Sequence, residues 1–443
     1  MAHAPPPPPT SYDPDSPNER APPLPDAPPV RLPGSASAVL QPPLSRRGSG
    51  PGLLLVLPGQ GPAEDVGRGV LLDPPPVQKW AEEGFCVVGV TWDGKMDMEA
   101  GAIRERVRVL VEDLGRGVRA LQSHASVDVK DKFGLIVYDD EATTALLSPE
   151  TSCLPTEIGC IAIFARPADS AAHLQANVPV FTHIPLGGQD STPYKPSRPS
   201  TATYPSCGRA FVVPGAAGYN GPAAALAHTH TLVFLRKHLG GPAFDIEAVW
   251  EEHTYWEFER RSVAATMATM VAEPYVNHVP TMTGGMGREQ LTAFYRDHFI
   301  FANPSDTALQ PLSRTIGPDR IVDEFIFSCT HASHIPWLLP HVPATHLPLA
   351  IPMAAVVNVR GDRVYHEHIW WDQATALRQV GILPTHLPAS VSSRVGGMEE
   401  KGIVRLPVAG AECARFLADK MSGRSNEMLD PAWAASSDAV EKT

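Results

Sequence analysis

The chain has 443 residues, which is too long for one typical domain, so two or three domains are expected. Its net charge of −12 argues against nucleic acids and anionic membranes as partners, because both need a basic face. The six cysteines form no CxxC pair, which argues against a disulfide framework or a zinc cluster. Neither a secretory signal nor an apolar run long enough to span a bilayer is visible, and a cytoplasmic protein is expected.

Proline dominates the beginning of the chain. Residues 1–48 contain runs such as Pro5–Pro9, which favour extended polyproline II over a packed core. The composition predicts a disordered Pro-rich N-terminal tail, and docking into an aromatic groove of a partner is the alternative.

Buried strands and helices alternate between residues 50 and 240. Short apolar runs predict six strands, at Leu53–Leu57, Phe85–Val90, Lys132–Tyr138, Ile158–Phe164, Val178–Ile184 and Ala210–Val213. Helical segments are predicted at residues 77–83, 102–122 and 222–239. This alternation predicts an α/β doubly wound sheet.

The order of these segments resembles the dienelactone hydrolase family of α/β-hydrolases. The resemblance is carried by LLLVLPG from Leu53, KFGLIVYDDEATTALL from Lys132, VPVFTHIPLGGQD from Val178 and AFVVPGAAGYNG from Ala210. It implies an α/β-hydrolase-like domain over residues 50–240, with its nucleophile on a tight strand-to-helix elbow.

The residues at that implied active site depart from the family pattern. Asp139 stands where the nucleophilic cysteine is expected, Ala217 stands where the histidine base is expected, and only Asp190 matches the third triad member. A nucleophile without its base cannot be activated in the usual way, so a degenerate hydrolase scaffold is predicted. The alternative is an active dienelactone hydrolase-type (carboxymethylenebutenolidase-like) enzyme with Asp139 as a carboxylate nucleophile.

Helices followed by strands occupy residues 245–385. Helices are predicted at Asp245–Ala272 and Arg288–Phe299. Strands and a closing helix are predicted at Leu309–Ile316, Arg320–Thr330, Leu349–Val359, Arg363–Trp371 and Gln373–Val380. This is an α+β layout. Residues 386–443 predict a lightly ordered C-terminal extension with a short helix at Ala411–Lys420.

This second segment resembles the SnoaL-like branch of the NTF2-like superfamily. The resemblance is carried by EPYVNHVPTMTGG from Glu273, DRIVDEFIFSCTH from Asp319, IPWLLPHVPAT from Ile335 and RGDRVYHEHIWWDQATALRQVGIL from Arg360. It implies an α+β NTF2-like cone, a curved antiparallel sheet that encloses an apolar pocket with its helices. Polyketide cyclases, ketosteroid isomerase and scytalone dehydratase belong among these relatives, so acid/base chemistry without a cofactor is implied.

The predicted strand that ends at Trp371 is crowded with polar and aromatic side chains, which suits the wall of a ligand pocket. Strand alternation places His366, His368 and Trp370 on one face, together with Asp372, and Glu367 and Trp371 on the other. The face of His368 is the favoured inward face, because Trp370 and Asp372 share it.

Proton transfer beside a carbonyl needs a base and a donor. The candidate catalytic residues are His368, Asp372, Glu324, His278 and Tyr275. The candidate pocket residues are His331, Trp337, Glu367, Trp370 and Trp371. Structural roles remain open for three of them, with Asp372 as a helix N-cap, Glu324 paired to a structural cation and His278 held in a loop.

His366 and His368 could also hold a metal if His331 or His278 supplied a third ligand. The resemblance gives no support for one, so neither a metal nor a cofactor is expected. The sequence therefore favours a small-molecule pocket that performs isomerase, cyclase or lyase chemistry on an apolar carbonyl metabolite. A non-enzymatic ligand-binding or assembly protein is the remaining alternative, and either domain could form a homodimer.

Overall fold

The computed structural model describes residues 9–59, 72–93, 100–147, 154–164, 178–187, 200–392 and 399–435. Two large sheets organise these residues, one built from the chain up to residue 239 and one built from residues 246–392. We call the two parts the N-terminal region and the C-terminal region. No described helix combines the length and the apolar character that crossing a bilayer requires.

The N-terminal region contains an eight-stranded sheet. Its strands are β1 (Val30–Arg31), β2 (Val39–Gln41), β3 (Gly52–Pro58), β4 (Cys86–Trp92), β5 (Phe133–Val137), β6 (Ile158–Phe164), β7 (Val180–Pro185) and β8 (Thr201–Tyr204). Their order is β1-β2-β4-β3-β5-β6-β7-β8. Strands β3 to β8 pair in parallel, whereas β2 is antiparallel to β4 and to β1.

Helices cover both faces of this sheet. They are α1 (Pro76–Glu82), α2 (Ala100–Ser123), α3 (Asp140–Leu147) and α4 (Gly221–Leu239). Residues of α2 and α3 pack in one apolar core, and residues of α1 and α4 pack in the other. Leu53, Leu54, Leu55 and Val56 of the central β3 are fully buried, as a parallel strand with two covered faces requires.

The C-terminal region contains a six-stranded sheet of order β10-β9-β14-β13-β12-β11. Its strands are β9 (Met270–His278), β10 (Thr283–Met286), β11 (Ala308–Ile316), β12 (Arg320–Thr330), β13 (Pro348–Arg360) and β14 (Arg363–Trp371). Helices α5 (Ile246–Thr254), α6 (Val263–Ala268) and α7 (Gly287–Phe294) share one apolar core with the sheet. Register shifts near Pro311 and Asn358 interrupt the ladders, and such bulges bend a sheet.

Three expectations about local structure need correction. The helix expected over Asp245–Ala272 is broken at Arg261 and Ser262, and Met270 already begins β9. Residues Ala210–Val213 form turns, and the eighth strand is Thr201–Tyr204, where alternating threonines replace a continuous apolar run. The C-terminal extension, expected to be lightly ordered, contains an unpredicted hairpin of β15 (His386–Ser392) and β16 (Glu399–Arg405). The helices expected before and within it are present as α8 (Gln373–Gln379) and α9 (Glu412–Ala418).

The expectation of a disordered tail is wrong for residues 9–48, which pack against both regions. The Glu19 carboxylate accepts hydrogen bonds from the N–H groups of Val263 and Ala264, at 3.0 and 2.8 Å, and so caps α6. The Ser262 hydroxyl donates to the carbonyl of Asn18. Proline restricts the unfolded chain, so an extended segment loses little entropy when it docks on a folded surface.

A buried ion cluster joins the two regions. Arg360, which is 2% exposed, contacts Glu82 at 2.7 Å and Asp73 at 3.2 Å across the junction. Lys79 also contacts Asp73, at 2.7 Å. The N–H of Gly361 donates to the buried carboxylate of Glu83. These contacts fix the end of the β13–β14 hairpin on α1.

Candidate functional site

The C-terminal region contains a cavity of about 620 Å³ between the helices and the inner face of the sheet. Seven aromatic side chains line it, namely Trp250, Tyr255, Phe258, Phe299, Phe325, Phe327 and Trp337. Acidic side chains also reach it, among them Glu257, Asp323 and Glu367. An aromatic cavity with a few polar groups is the usual form of a small-molecule site.

Two of the polar groups at this cavity come from one helical turn. His253 lies in the last turn of α5, and Glu257 follows four residues later in a π-helical turn, Tyr255–Glu259. Residues four apart share a helix face, so both side chains point towards the core. Their Nε2 and Oε1 atoms lie 3.1 Å apart. π-helical turns inside helices are frequent at functional sites.

A strand and a second helix complete the group. Glu367 lies at the middle of β14, and its Oε1 is 3.0 Å from the same Nε2 of His253. The hydroxyl of Tyr295, at the start of another π-helical turn, is 3.3 Å from that nitrogen and 3.4 Å from Glu367 Oε1. We call His253, Glu257, Tyr295 and Glu367 the carboxylate–histidine cluster; all four are at most 3% exposed.

The tautomer of His253 follows from Thr269. The Thr269 hydroxyl donates its single proton to the carbonyl of Thr266, at 2.6 Å, so towards His253 it can only accept. Its partner there, at 2.6 Å, is Nδ1 of His253, which must therefore carry a proton. In a neutral imidazole the Nε2 atom would then direct a lone pair at two carboxyl groups. A second proton on Nε2 removes that repulsion.

The electrostatics of the cluster agree with a protonated histidine. Burial alone would lower the pKa of His253, but the two neighbouring glutamates outweigh it and raise the pKa to about 10. Burial also raises the pKa of Glu257, although the His253 charge opposes this shift. The pKa of Tyr295 lies well above its usual value because of burial and both carboxylates. The cluster can therefore hold one acidic proton and one carboxylate beside an apolar cavity.

A second acidic group lies across the cavity and is fully engaged. Both oxygens of Asp323 accept hydrogen bonds from Arg314, at 2.7 and 2.8 Å, and the indole N–H of Trp250 donates to Asp323 Oδ2 at 2.8 Å. The remaining terminal nitrogen of Arg314 contacts Glu247 and Glu251 on α5. This pairing ties β11 and β12 to α5 at the cavity wall.

Three of the residues expected at a pocket line this cavity, His278, Trp337 and Glu367. His278 ends β9, is 2% exposed, and packs among Phe294, Phe299 and Trp337. Its Nδ1 lies 3.3 Å from the carbonyl of Thr283, and burial lowers its pKa to about 3. It is therefore a neutral imidazole whose Nδ1 carries the proton.

The alternation predicted for β14 is present, but its cavity-facing side is the opposite of the favoured one. Glu367 and Ile369 line the cavity, whereas His368 is half-buried on the outer side, stacked on His366 and edge-on to Tyr275. The ring of Trp370 lies beside His368 and is exposed. The expectation that the face of His368 points inward is therefore wrong. Ile369 and Trp371, on the opposite face of β14, belong to the apolar core.

The other candidate residues lie away from the cavity. Asp372 is the N-cap of α8 and accepts hydrogen bonds from the N–H groups of Ala374 and Thr375. Glu324 lies on the outer side of β12, where it accepts a bond from Ser313. His331 is buried beside Thr345. Trp371 is buried next to Trp337 and His278, behind the cavity wall.

Among the described residues, the structure shows two members of the implied hydrolase site, and neither has a described catalytic partner. Asp139 directly precedes α3, and its carboxylate accepts a hydrogen bond from the N–H of Ala142 at 2.8 Å. Burial raises the pKa of Asp139, and that hydrogen bond opposes the shift. Ala217 is exposed. Asp190 lies outside the described residues.

A metal could be held at one place among the described residues. Ligand atoms of His253, Glu257 and Glu367 all lie within 4.8 Å of one another, and Thr269 leaves Nε2 of His253 free to coordinate. The His366 and His368 pair is not part of that group. The proton on Nε2 and a divalent cation are thus two ways to satisfy the same pair of carboxylates.

Sequence reasoning missed His253, Glu257, Tyr295, Asp323 and Arg314 as site residues. A signal for the first two was present, because Ile246, Val249, Trp250 and His253 are all buried at helical spacing and Glu257 continues that stripe. No sequence signal links Tyr295 or Arg314 to the cavity.

No family model and no curated protein matches the chain. Several solved structures are similar to part of it. An NTF2-like protein of unknown function from Burkholderia pseudomallei is 17% identical and covers 31% of this chain and 96% of its own, with a TM-score of 0.24. A protein from Jannaschia described as a SnoaL-like polyketide cyclase is 16% identical and covers 33% of this chain and all of its own, 100%, with a TM-score of 0.26. A protein with a ketosteroid isomerase-like fold from Catenulispora acidiphila, solved with trimethylamine, is 16% identical and covers 32% of this chain and 95% of its own, with a TM-score of 0.24.

Proposed function

We propose that the C-terminal region binds a small, largely apolar carbonyl compound and catalyses a cofactor-free isomerase, cyclase or lyase step. The supporting observation is the carboxylate–histidine cluster, in which Glu257 and Glu367 share one histidine in the wall of an aromatic cavity. Two carboxyl groups held this close in an apolar site separate into one acid and one base. The resemblance of residues 245–385 to SnoaL-like proteins agrees with such chemistry.

Glu367 is the base in this proposal, because His253 and Tyr295 can both donate hydrogen bonds to its ionised form. Its carboxylate removes the proton from the carbon beside the substrate carbonyl, and the electron pair moves towards the carbonyl oxygen. Glu257, whose pKa is raised by burial, donates its proton to that oxygen. Return of the proton from Glu367 to another carbon, with reprotonation of Glu257 by the enol, completes an isomerisation.

His253 and Tyr295 are positioning residues in this scheme. His253 is fully buried and contacts both glutamates without lining the cavity. Thr269 fixes the orientation of its ring. The positive charge of the imidazolium compensates one carboxylate charge, so that the two glutamates do not bury two uncompensated negative charges in the core.

The N-terminal region is proposed to be a hydrolase-like scaffold. The use of Asp139 as a helix cap supports this role, and so does the alanine at position 217. In the alternative, a dienelactone hydrolase-type enzyme, Asp139 would need a base that no described residue beside it supplies.

The test uses an enolisable bicyclic ketone, 2-tetralone, as the probe. We expect the full chain to accelerate exchange of its α-protons in D₂O, measured by proton NMR. Glu367→Gln should lower that rate by at least roughly 100-fold, the usual range for loss of a general base. Glu324→Gln, the same change on the outer side of the sheet, is the matched control and should keep the wild-type rate.

Equal rates in the wild type and in Glu367→Gln would refute the acid/base proposal. Addition of EDTA separates the second candidate, a divalent cation held by His253, Glu257 and Glu367. Loss of exchange with EDTA and recovery with Zn²⁺ or Mn²⁺ would favour the metal site over the shared proton.

A further inference from the structure

The polar groups of the cavity are almost all hydrogen-bond acceptors. Besides the Glu367 carboxylate, His278 contributes an acceptor, because its Nδ1 donates to the carbonyl of Thr283 and its neutral Nε2 carries a lone pair. The hydrogen bond described for the His278 ring uses Nδ1, and the residue is 2% exposed. An acceptor atom in a cavity wall is costly to leave without a hydrogen bond, so a ligand that supplies a donor there is favoured.

The cationic and indole donors near the cavity are already engaged. Arg314 is the only basic side chain among the described residues that line it, and its guanidinium contacts Asp323, Glu247 and Glu251. The indole N–H of Trp250 donates to Asp323. The indole N–H of Trp337 donates to Asn303. His253 is covered by the carboxylates that it contacts.

Two neutral hydroxyl groups at the cavity remain adaptable, those of Tyr255 and Thr307. The hydroxyl of Thr307 is buried and has no hydrogen-bond partner among the described residues. It can accept or donate, so it does not by itself select the charge of a ligand. Glu251 and Glu259 add negative charge at the cavity wall near α5, which attracts cations from solution.

We propose that the cavity selects ligands with a protonated amine on an apolar or aromatic body and rejects carboxylates. This inference rests on the proposed function for its site and adds the class of substrate to it. The amine donates to the Glu367 carboxylate and to Nε2 of His278, and the seven aromatic rings hold the body of the ligand and stabilise its positive charge. A carboxylate would meet only acceptors and like charge, and would lose its hydration without compensation.

Three probes that share an indole and a two-carbon arm test this selection: tryptamine, 3-ethylindole and indole-3-propionate. Titration calorimetry on the full chain at neutral pH should show tryptamine binding at least roughly tenfold tighter than 3-ethylindole, as one desolvated charge contact provides. Indole-3-propionate should show no saturable binding. Binding of indole-3-propionate as tight as that of tryptamine, or no binding of any probe, would overturn the selection rule.

Glu367→Gln locates the contact, because it removes one charge and keeps the size of the side chain. We expect its affinity for tryptamine to fall about tenfold while 3-ethylindole binds within about twofold of wild type, which also reports an intact cavity. An unchanged preference in this variant would place the amine away from the cluster and contradict the proposal. Binding is measured without turnover, so failure of the 2-tetralone exchange with a retained amine preference would reject the acid/base function alone.

Discussion

The two regions place their acidic groups in opposite ways. At the elbow of the N-terminal region Asp139 caps α3, and Asp140 and Glu141 pair with Arg209. Among the described residues, a cavity lined in part by Tyr138 holds about 20 Å³. In the C-terminal region Glu257 and Glu367 reach a cavity of about 620 Å³. The carboxylate of Asp139 is engaged as a helix cap, which leaves it unavailable for proton transfer. Glu257 and Glu367 share one histidine and face a cavity, so they can still exchange a proton with a ligand.

The junction between the regions gives the largest expected effect on stability. Arg360→Met leaves Glu82 buried without its cation, so the free energy of unfolding should fall by about 3–5 kcal/mol. Urea unfolding followed by circular dichroism measures this loss. The exposed Arg108, paired with Glu105 and Glu112, provides the control, and Arg108→Met should leave the midpoint unchanged.

A junction that contributes little would change the comparison. If Arg360→Met and Arg108→Met had the same midpoint, the ion cluster would not hold the regions together. The N-terminal region would then not support the cavity through that contact, and the scaffold role would need another basis.

Acid should destabilise the protein through its buried histidines. Burial lowers the pKa of His278 to about 3, and likewise that of His183 in the N-terminal region. Between pH 6.5 and 3 the unfolded chain binds protons that the folded chain excludes, so stability is present above pH 6.5 and is lost as pH falls towards 3. The pH dependence of the unfolding free energy across this range should correspond to the uptake of about one proton per buried histidine on unfolding.

His278→Phe isolates the contribution of the cavity, because an aromatic ring fits among Phe294, Phe299 and Trp337. The variant should take up about one proton fewer on unfolding between pH 6.5 and 3. A pH dependence identical to that of wild type would mean that His278 is protonated in the folded protein. It would then donate through Nε2, contrary to the acceptor role inferred above.

The tail gives a smaller effect. Glu19→Ala removes the carboxylate that caps α6, which should cost about 1–2 kcal/mol, the size of a lost helix cap. Limited proteolysis should cut the variant faster within residues 9–48. Asp26→Ala alters the same segment at a position without a resolved contact to α6 and serves as the control. Equal cleavage of wild type and Glu19→Ala would show that other contacts hold this segment.

Sequence patterns predicted the alternating strands of the N-terminal region well, because parallel strands buried on both faces are continuous apolar runs, as in β3 and β6. They also predicted β12 with both its ends, Arg320 and Thr330. They did not predict the inward face of β14, since both faces carry histidine or tryptophan, and the choice depends on packing with distant helices. The tail was missed because its contacts, such as Glu19 with α6, span more than two hundred residues of sequence.

The site was only partly predictable for the same reason. Glu367, His278 and Trp337 lie in motifs with strong local signals, whereas Tyr295 joins the cluster only after α7 folds back on the sheet. Asp323 and the candidate Glu324 are neighbours on β12 and so lie on opposite faces, and the structure turns Asp323 towards the cavity. Local patterns therefore identify candidate polar groups, and tertiary packing selects among them.

Asp139→Ala gives the smallest expected effect and tests the comparison most directly. Loss of the hydrogen bond to the N–H of Ala142 should cost about 1 kcal/mol of stability, as for other helix caps. Hydrolysis of p-nitrophenyl acetate and of dihydrocoumarin should be the same in the variant and in wild type, because no described residue beside Asp139 supplies a base. Asp139→Asn, which keeps an acceptor for Ala142, should recover most of the stability.

If wild type hydrolysed either probe and both variants did not, Asp139 would be a nucleophile. The elbow would then be an active site. Acidic residues of both regions would take part in catalysis, and the two regions would differ only in the reaction they catalyse.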